Sequence, residues 1–391
     1  MYDFDEIIDR SSTDCIKYDC RESVFGRKDV IPMWVADMDF RTPPFVLRAI
    51  NEKVEQGILG YSFRPEGYFT SLMKWVKHRH GWEISREWIE FSPGVVPALN
   101  MCTLAFTDPD DEIIIQPPVY TPFFGAINDH GRKPVLNNLV ETSQGWRMDI
   151  EDLKKKITPS TRMIILSNPH NPVGRAWSRD ELSAVADLCY GKNIVVLSDE
   201  IHSDLMLPGN KHVPFASVSP EAAAMTVTCM APSKTFNLAG LSTSSVIISN
   251  DILREKYHKT LEGLHMHLGN IFGNVASETA YTYGEGWLKE LLSYVKENVD
   301  LVMSFCKTNI PVIKPVMPEA TYMIWLDCRA LRMSGRELHR FFVEKAGVGM
   351  NEGSAFGPGG EGFMRLNLAC PRATVQKALE QIEEAIKTLN L

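Results

Sequence analysis

The chain has 391 residues, of which 44% are hydrophobic, and its formal net charge is −8. This length suffices for a large core divided over two or three structural units, and the acidic balance argues against a nucleic-acid-binding protein, which normally carries a basic patch. The opening "MYDFDEIIDR" lacks the basic and apolar regions of a signal peptide, no apolar stretch reaches the length of a membrane span, and the eight cysteines form no C-x-x-C pair. We therefore expect a reduced, cytoplasmic, soluble protein without a nucleic-acid or membrane partner.

The two ends of the chain differ in pattern from its middle. Residues 1–48 are irregular around one apolar segment, "IPMWVADMDF", and are predicted to form an N-terminal arm and part of a small domain. Residues 286–391 contain long amphipathic helical patterns with the strand-like pieces "TYMIWLD" and "FMRLNLA" between them, which is typical of a smaller α+β unit. We expect the arm to pack against this C-terminal unit.

Residues 49–285 are predicted to form the large domain. Short apolar runs alternate there with helical patterns, and the runs are "DEIIIQ" (111–116), "RMIILSN" (162–168), "NIVVLSD" (193–199), "MTVTCMA" (225–231) and "SSVIIS" (244–249). Their hydrophobicity is continuous rather than alternating, which favours strands of a parallel sheet that is covered on both faces. The strand–helix alternation predicts an α/β fold.

Polar side chains follow three of these predicted strands, at the edge where parallel sheets bind ligands. "SNPHNPVG" supplies Asn171, "SDEIH" supplies Asp199 and His202, and "APSK" supplies Ser233 and Lys234. From residue 222 to residue 250 the chain carries no charged residue except this lysine. Because an isolated ammonium group among apolar runs is costly to bury, a chemical use for Lys234 is favoured.

An anion site and an aromatic residue complete the pattern. "FSPGVVPALN" predicts a turn into an apolar helix whose free N–H groups at residues 94–96 can bind an anion. The sequence contains no Walker motif, so we do not expect this anion to be the phosphate of a P-loop nucleotide. Tyr120 follows a predicted strand in "QPPVYTPFF". Together with Asn171, Asp199 and Lys234, these features fit pyridoxal 5′-phosphate: the lysine forms a Schiff base, the acid keeps the pyridine nitrogen protonated, and the helix binds the phosphate.

The motifs "SNPHNPVGR", "SDEIHSDL" and "APSKTFNLAGL", in this order and at these separations, resemble the class I/II aminotransferase superfamily of fold-type I pyridoxal-phosphate enzymes. Within it, the chain resembles the MalY/PatB group of carbon–sulfur β-lyases, from "MWVADMDF" to "FMRLNLACPR". The resemblance implies a large domain with a mostly parallel seven-stranded sheet sandwiched by helices, and a smaller α+β domain from both chain ends. It further implies a lyase that cleaves L-cystathionine or related cysteine S-conjugates to a thiol, pyruvate and ammonia.

The resemblance also implies a role for each candidate residue. Lys234 bonds the cofactor, Asp199 pairs the pyridinium nitrogen, and Asn171 contacts the phenolic oxygen. The other implied roles are ring stacking by Tyr120, phosphate contacts by Val95, Val96 and Ser233, substrate carboxylate contacts by Arg365 and the backbone of Ala36, and, in a homodimer with shared active sites, Tyr61 reaching the neighbouring subunit's site.

Two positions depart from the wider aminotransferase pattern. His202 stands three residues after the aspartate, where many relatives carry the tyrosine that contacts the cofactor's phenolic oxygen, and it remains a candidate cofactor contact. Ser242 stands eight residues after the lysine, where many aminotransferases carry a phosphate-binding arginine. Both departures are similar to the β-lyase group and favour a lyase over a transaminase.

Several other interpretations stay open. The same cofactor residues suit an aminotransferase, and a regulatory or scaffolding protein could use the same fold to bind a partner. Singly, Lys234 could be a surface lysine that extends to water, Asp199 a helix cap and Asn171 a turn residue. No metal site is predicted, because His202 and the "HMH" at 265–267 lack further ligands at a metal-binding spacing.

Overall fold

The computed structural model describes residues 2–389. The helices are α1 (Ile16–Asp19), α2 (Arg21–Phe25), α3 (Pro44–Glu55), α4 (Glu66–His80), α5 (Val95–Phe106), α6 (Pro122–Asn128), α7 (Ile150–Lys156), α8 (Arg179–Cys189), α9 (Pro220–Met225), α10 (Pro232–Thr235), α11 (Asp251–Gly263), α12 (Ile271–Tyr283), α13 (Glu285–Asn309), α14 (Gly335–Arg340) and α15 (Arg372–Lys387). The strands are β1 (Ile31–Pro32), β2 (Ile89–Ser92), β3 (Glu112–Ile115), β4 (Lys133–Leu136), β5 (Val140–Thr142), β6 (Gly145–Arg147), β7 (Thr161–Ser167), β8 (Val195–Asp199), β9 (Thr226–Met230), β10 (Ser244–Ile247), β11 (Lys314–Val316), β12 (Met323–Asp327), β13 (Val348–Gly349), β14 (Asn351–Glu352) and β15 (Phe363–Asn367). Within this range no helix is both long enough and apolar enough to cross a membrane.

A seven-stranded sheet forms the centre of the molecule, in the order β2-β10-β9-β8-β7-β3-β4. Strands β9, β8, β7, β3 and β4 pair in parallel, and β10 runs antiparallel to both of its neighbours. All residues of β9 and β10 are buried. Continuous hydrophobicity therefore indicates that both faces are covered, but it does not give the direction of a strand such as β10. The predicted α/β fold with a mostly parallel seven-stranded sheet is confirmed.

A second, antiparallel sheet lies in the C-terminal part of the chain, in the order β11-β12-β15-β14. The long helices α13 and α15 contact one another beside it. The N-terminal arm joins this part through the parallel pair β1–β13, in which Ile31 lies opposite Val348. Both ends of the chain thus meet in one smaller α+β unit. The domain boundaries at residues 48 and 285 stay predictions.

A buried cluster of charges fixes the arm. Lys17 is 1% exposed, and its Nζ lies 2.8 Å from Asp39 Oδ2 and 3.6 Å from Asp37 Oδ1. Arg10 contacts the same two carboxylates, each at 2.6 Å. Two cations thus face two anions, and this balance makes the burial of Lys17 tolerable.

Replacing Lys17 with methionine should lower the free energy of unfolding by about 3–5 kcal/mol, because the buried carboxylate of Asp39 loses a partner. Lys28→Met is the matched control: its ion pair with Glu22 is 3.1 Å long but exposed, and exposed pairs contribute about 0–1 kcal/mol. Urea unfolding measures both variants. Equal losses for the two variants would contradict the importance of the buried cluster.

Candidate active site

A cavity of about 180 Å³ opens at the carboxyl ends of the central parallel strands. Nine of the candidate residues line it: Ala36, Val95, Val96, Tyr120, Asn171, Asp199, His202, Ser233 and Lys234. The cavity thus brings together the polar strand ends, the start of α5 and the N-terminal arm.

Lys234 lies on α10, directly after the fully buried strand β9. Its Nζ donates a hydrogen bond to the carbonyl of Ala36 at 2.6 Å. Burial lowers the pKa of Lys234 to about 8; the anions Asp37 and Asp199 oppose this shift, and the cation Arg365 adds to it. At a pKa of about 8, roughly a tenth of the amine is unprotonated at pH 7, far more than for an ordinary lysine, and the unprotonated form is the one that a nucleophile or base requires.

Asp199 ends strand β8 and is 5% exposed. Burial raises the pKa of Asp199 to about 7; the backbone N–H of Ile201, which Oδ1 accepts at 3.1 Å, and the charge of Lys234 oppose the rise, and Glu200 adds to it. A carboxylate in this position is stabilised by any cationic group that reaches the cavity. A protonated pyridine nitrogen is such a group.

His202 faces the same cavity as a neutral ring. Burial lowers the pKa of His202 to about 3, and the charges of Lys234 and Arg365 act in the same direction. Its Nδ1 is buried without a hydrogen-bond partner among residues 2–389. Since buried polar atoms are normally paired, this nitrogen is available to a bound ligand.

The start of α5 forms the anion-binding end of the cavity. The first N–H groups of a helix have no acceptor within the helix, and Val95 and Val96 occupy the first two positions of α5. The hydroxyl-bearing residues Ser233, Ser242 and Thr243 line the same cavity. Ser242 thus lies at the site, although it lacks the charge of the arginine that many aminotransferases carry there. A phosphate bound here would be held by N–H groups and hydroxyls.

Arg365 lies beside the cavity on strand β15 and is 5% exposed. Its guanidinium donates to Asn171 Oδ1 at 2.9 Å, to Asn351 Oδ1 at 2.8 Å and to the carbonyl of Trp34 at 3.1 Å. All three acceptors are neutral. Burial lowers the pKa of Arg365 to about 10, so the group stays charged at neutral pH. A buried cation with neutral neighbours favours an anionic ligand, and the planar guanidinium suits a carboxylate.

The two tyrosine candidates lie in contrasting surroundings. Tyr120 lines the cavity, and burial raises the pKa of its hydroxyl. Tyr61 is 98% exposed and lies outside the cavity lining of its own chain. The roles assigned to both residues stay predictions.

Several residues around the cavity escaped the sequence analysis. Tyr322 donates its hydroxyl to the same Ala36 carbonyl that Lys234 contacts, at 3.0 Å. Asn367 donates to the carbonyls on both sides of that residue, Val35 and Asp37, at 2.6 and 2.7 Å. The motifs "VADMDF" and "FMRLNLA" contain several of these residues, but only their meeting in space reveals the contacts.

The model of the family "Aminotransferase class I and II" matches residues 28–382. The chain belongs to this family. It is 44% identical to the cystathionine β-lyase PatB of Bacillus subtilis, over 98% of this chain and 99% of that protein. The resemblance inferred from the three motifs is therefore confirmed.

Two solved structures share the fold closely. Cystalysin from Treponema denticola, whose crystal structure contains pyridoxal 5′-phosphate, has a TM-score of 0.97 and 37% identity, and the similarity covers both chains completely. The pyridoxal-phosphate-bound C–S lyase from Staphylococcus hominis has a TM-score of 0.92 and 35% identity over 98% of each chain.

In the cofactor-free protein, the rate at which acetic anhydride acetylates Lys234 should rise with pH through a midpoint of about 8, compared with ~10.4 for an unperturbed lysine. Asp37→Asn should move the midpoint lower, because it removes an anion that favours the protonated amine. Mass spectrometry of the Lys234 peptide gives the rate.

Asp29→Asn is the control for this measurement, since Asp29 lies in an exposed ion pair with Arg27, and it should leave the midpoint unchanged. A wild-type midpoint near that of free lysine would show that burial does not tune this amine.

Proposed function

We propose that this protein is a pyridoxal-phosphate-dependent carbon–sulfur β-lyase that acts on cystathionine or related cysteine S-conjugates. The observation that carries the proposal is one cavity in which an amine with a pKa of about 8 and a buried carboxylate with a pKa of about 7 lie beside an arginine with only neutral partners. The identity of 44% to PatB supports the lyase class.

The residues of the cavity suit each part of the cofactor. The N–H groups of Val95 and Val96 and the hydroxyl of Ser233 hold the phosphate. Asp199 pairs the ring nitrogen, and Lys234 supplies the amine for the covalent bond. The remaining proposed contacts are the ring face for Tyr120 and the phenolic oxygen for Asn171 and His202.

The cofactor, when bound, supplies the electron sink that makes the substrate's Cα proton acidic. Arg365 binds the α-carboxylate of the substrate, together with the backbone around Ala36, and so directs the Cα–H bond toward Lys234. The amine of Lys234 accepts this proton, and its lowered pKa suits a base that operates near neutral pH. Asp199 keeps a proton on the ring nitrogen.

The overall reaction consumes water. The substrate's Cβ–S bond breaks, the sulfur leaves as a thiolate that gains a proton, and hydrolysis of the remaining three-carbon unit gives pyruvate and ammonia. No oxidant or reductant is needed. This chain has Ser242 where many aminotransferases carry a phosphate-binding arginine, and His202 where many carry a tyrosine. Both differences accord with a lyase.

Incubation with L-cystathionine should release pyruvate and a free thiol in equal amounts. Lys234→Ala should reduce this release by at least about 10²–10⁴-fold, since the general base is lost and the covalent bond cannot form. Lys211→Ala, at an exposed lysine, is the control and should retain full activity. Lactate dehydrogenase coupling and a thiol reagent measure the two products.

Other outcomes would favour the competing functions. Accumulation of pyridoxamine phosphate with a keto acid would identify an aminotransferase. A protein that stays colourless after pyridoxal phosphate is added would favour a regulatory or scaffolding role. A Lys234→Ala protein that keeps a borohydride-trappable cofactor would show that another lysine forms the bond.

We further propose a homodimer in which Tyr61 of each chain reaches the site of the other. The loop around Tyr61 exposes Ile58, Leu59 and Phe63 at 78%, 61% and 84%, and large exposed apolar side chains this close together in the sequence favour burial against a protein surface. A second copy of the chain buries these side chains in one symmetric contact. A cytoplasmic location is proposed from the eight cysteines, none of which is paired in a disulfide in the described chain.

Mixing of Tyr61→Ala and Lys234→Ala chains tests the shared site. Each homodimer should be inactive, but a heterodimer has one site with an intact lysine and the partner's intact tyrosine. Refolding the two in equal amounts should restore about a quarter of wild-type activity. Tyr190→Ala, another exposed tyrosine, should stay active alone. Absence of restored activity would place Tyr61 in its own chain's site, whereas a Tyr61→Ala protein that is active alone would place Tyr61 outside catalysis.

A further inference from the structure

A buried carboxylate behind the cavity connects three elements. Asp204 is 3% exposed and lies five positions after Asp199, in the segment that follows β8. Its Oδ1 accepts a hydrogen bond from Trp75 Nε1 at 2.9 Å and lies 3.1 Å from His80 Nε2, both on α4. Its Oδ2 accepts from the hydroxyl of Thr235 at 3.0 Å. The side chain of Asp204 thus joins α4 to α10, the helix that carries Lys234, and Asp204 itself lies in the segment that directly follows Asp199 and β8.

The charge of Asp204 is satisfied within the protein, unlike the charge of Asp199. Burial raises the pKa of Asp204, but contacts with His80, Arg79 and Trp75 outweigh this effect and hold the pKa below its usual range. Arg79 Nε lies 3.5 Å from Asp204 Oδ1. This carboxylate stays ionised and needs neither a proton nor a ligand, so its role lies in what it holds in place.

Helix α10 depends on such external contacts. It has only four residues, and a helix this short satisfies almost none of its own N–H and C=O groups. Phe236 follows it and packs against the rings of Trp75 and Trp287, with centroids 5.6 and 5.9 Å apart. This apolar contact holds the end of α10 but has no preferred rotation about the helix axis, whereas the hydrogen bond of Thr235 has a defined direction.

Thr235 is the immediate neighbour of Lys234. Successive residues of a helix project about 100° apart, so a fixed direction for the threonine side chain also fixes the direction of the lysine. The hydroxyl of Thr235 is buried against Asp204, with 0% exposure, and Lys234 lines the cavity.

We propose that Asp204 is a positioning residue: through the hydroxyl of Thr235 it sets the rotation of α10 and hence the direction from which the Lys234 amine enters the cavity. Because Asp204 and Asp199 belong to the same segment, this bond also fixes the amine relative to the acid. The inference rests on the proposed function for its effect on turnover, but the placement of the amine can be measured without turnover.

Thr235→Val tests the proposal with little change in volume, whereas Asp204→Ala would leave His80 and Arg79 without a buried partner and test folding instead. In Thr235→Val, kcat for pyruvate release should fall by about 10- to 100-fold, the cost of misplacing a reacting group by about 1 Å. KM should change little, because Arg365 still binds the carboxylate. In the cofactor-free protein, acetylation of Lys234 should slow and its pH midpoint should shift. Thr235→Ser, which keeps the hydroxyl, should restore all three properties.

Trp75→Phe is the matched control, since it removes a different hydrogen bond from the same carboxylate and keeps an aromatic ring against Phe236 at the end of α10. It should lower the thermal midpoint while leaving kcat and the acetylation midpoint at wild-type values. A Thr235→Val protein that matches wild type in kcat and acetylation would overturn the proposal, as would equal kcat losses in both variants. If wild-type protein releases no pyruvate, the proposed function fails, and the acetylation comparison still decides the positioning role.

Discussion

The burial of unpaired charge is the constraint on which this structure depends. Asp199 and Lys234 line one cavity, and Arg365 lies beside it. Burial shifts the pKa of each group in the direction that favours its neutral form, to about 7, 8 and 10. Ionised groups removed from water are costly unless opposite charge compensates them. The charges of this site are therefore compensated by the ligand that binds there. A cation pairs with Asp199, a carbonyl group reacts with the amine of Lys234, and a carboxylate pairs with Arg365.

The N-terminal arm supplies the wall of this site from the other end of the chain. The carbonyl of Ala36 accepts hydrogen bonds from Lys234 and Tyr322, and the carbonyl of Trp34 accepts one from Arg365. Side-chain amides and the cluster around Lys17 hold the same segment. A backbone fixed on both sides in this way offers a ligand preorganised acceptors, which reduces the ordering cost of binding.

The sequence was most informative where function and local pattern coincide. Continuous apolar runs followed by Asn171, Asp199 and Lys234 predicted both the strands and the polar edge, because parallel strands present their carboxyl ends together. Contacts between distant segments could not be predicted this way. Lys17 has the pattern of an ordinary surface lysine until the fold places Asp39 beside it, and nothing in the spacing pairs Thr235 with a carboxylate 31 positions away. The direction of β10 also escaped prediction, since burial on both faces is the same for either direction.

The meeting of the two chain ends has a consequence for biosynthesis. Trp34 emerges from the ribosome early, yet its partner Arg365 lies 331 positions later, and the arm's strand β1 has no place in a sheet until β13 exists. At about 5–20 residues per second, the arm waits roughly 20–70 s for its partners. The seven-stranded sheet can fold during this interval, while the cavity still lacks the wall that the N-terminal arm supplies. A nascent chain therefore carries the reactive amine of Lys234 before it carries the means to orient a substrate, and chemical competence arrives only after Arg365 has been made.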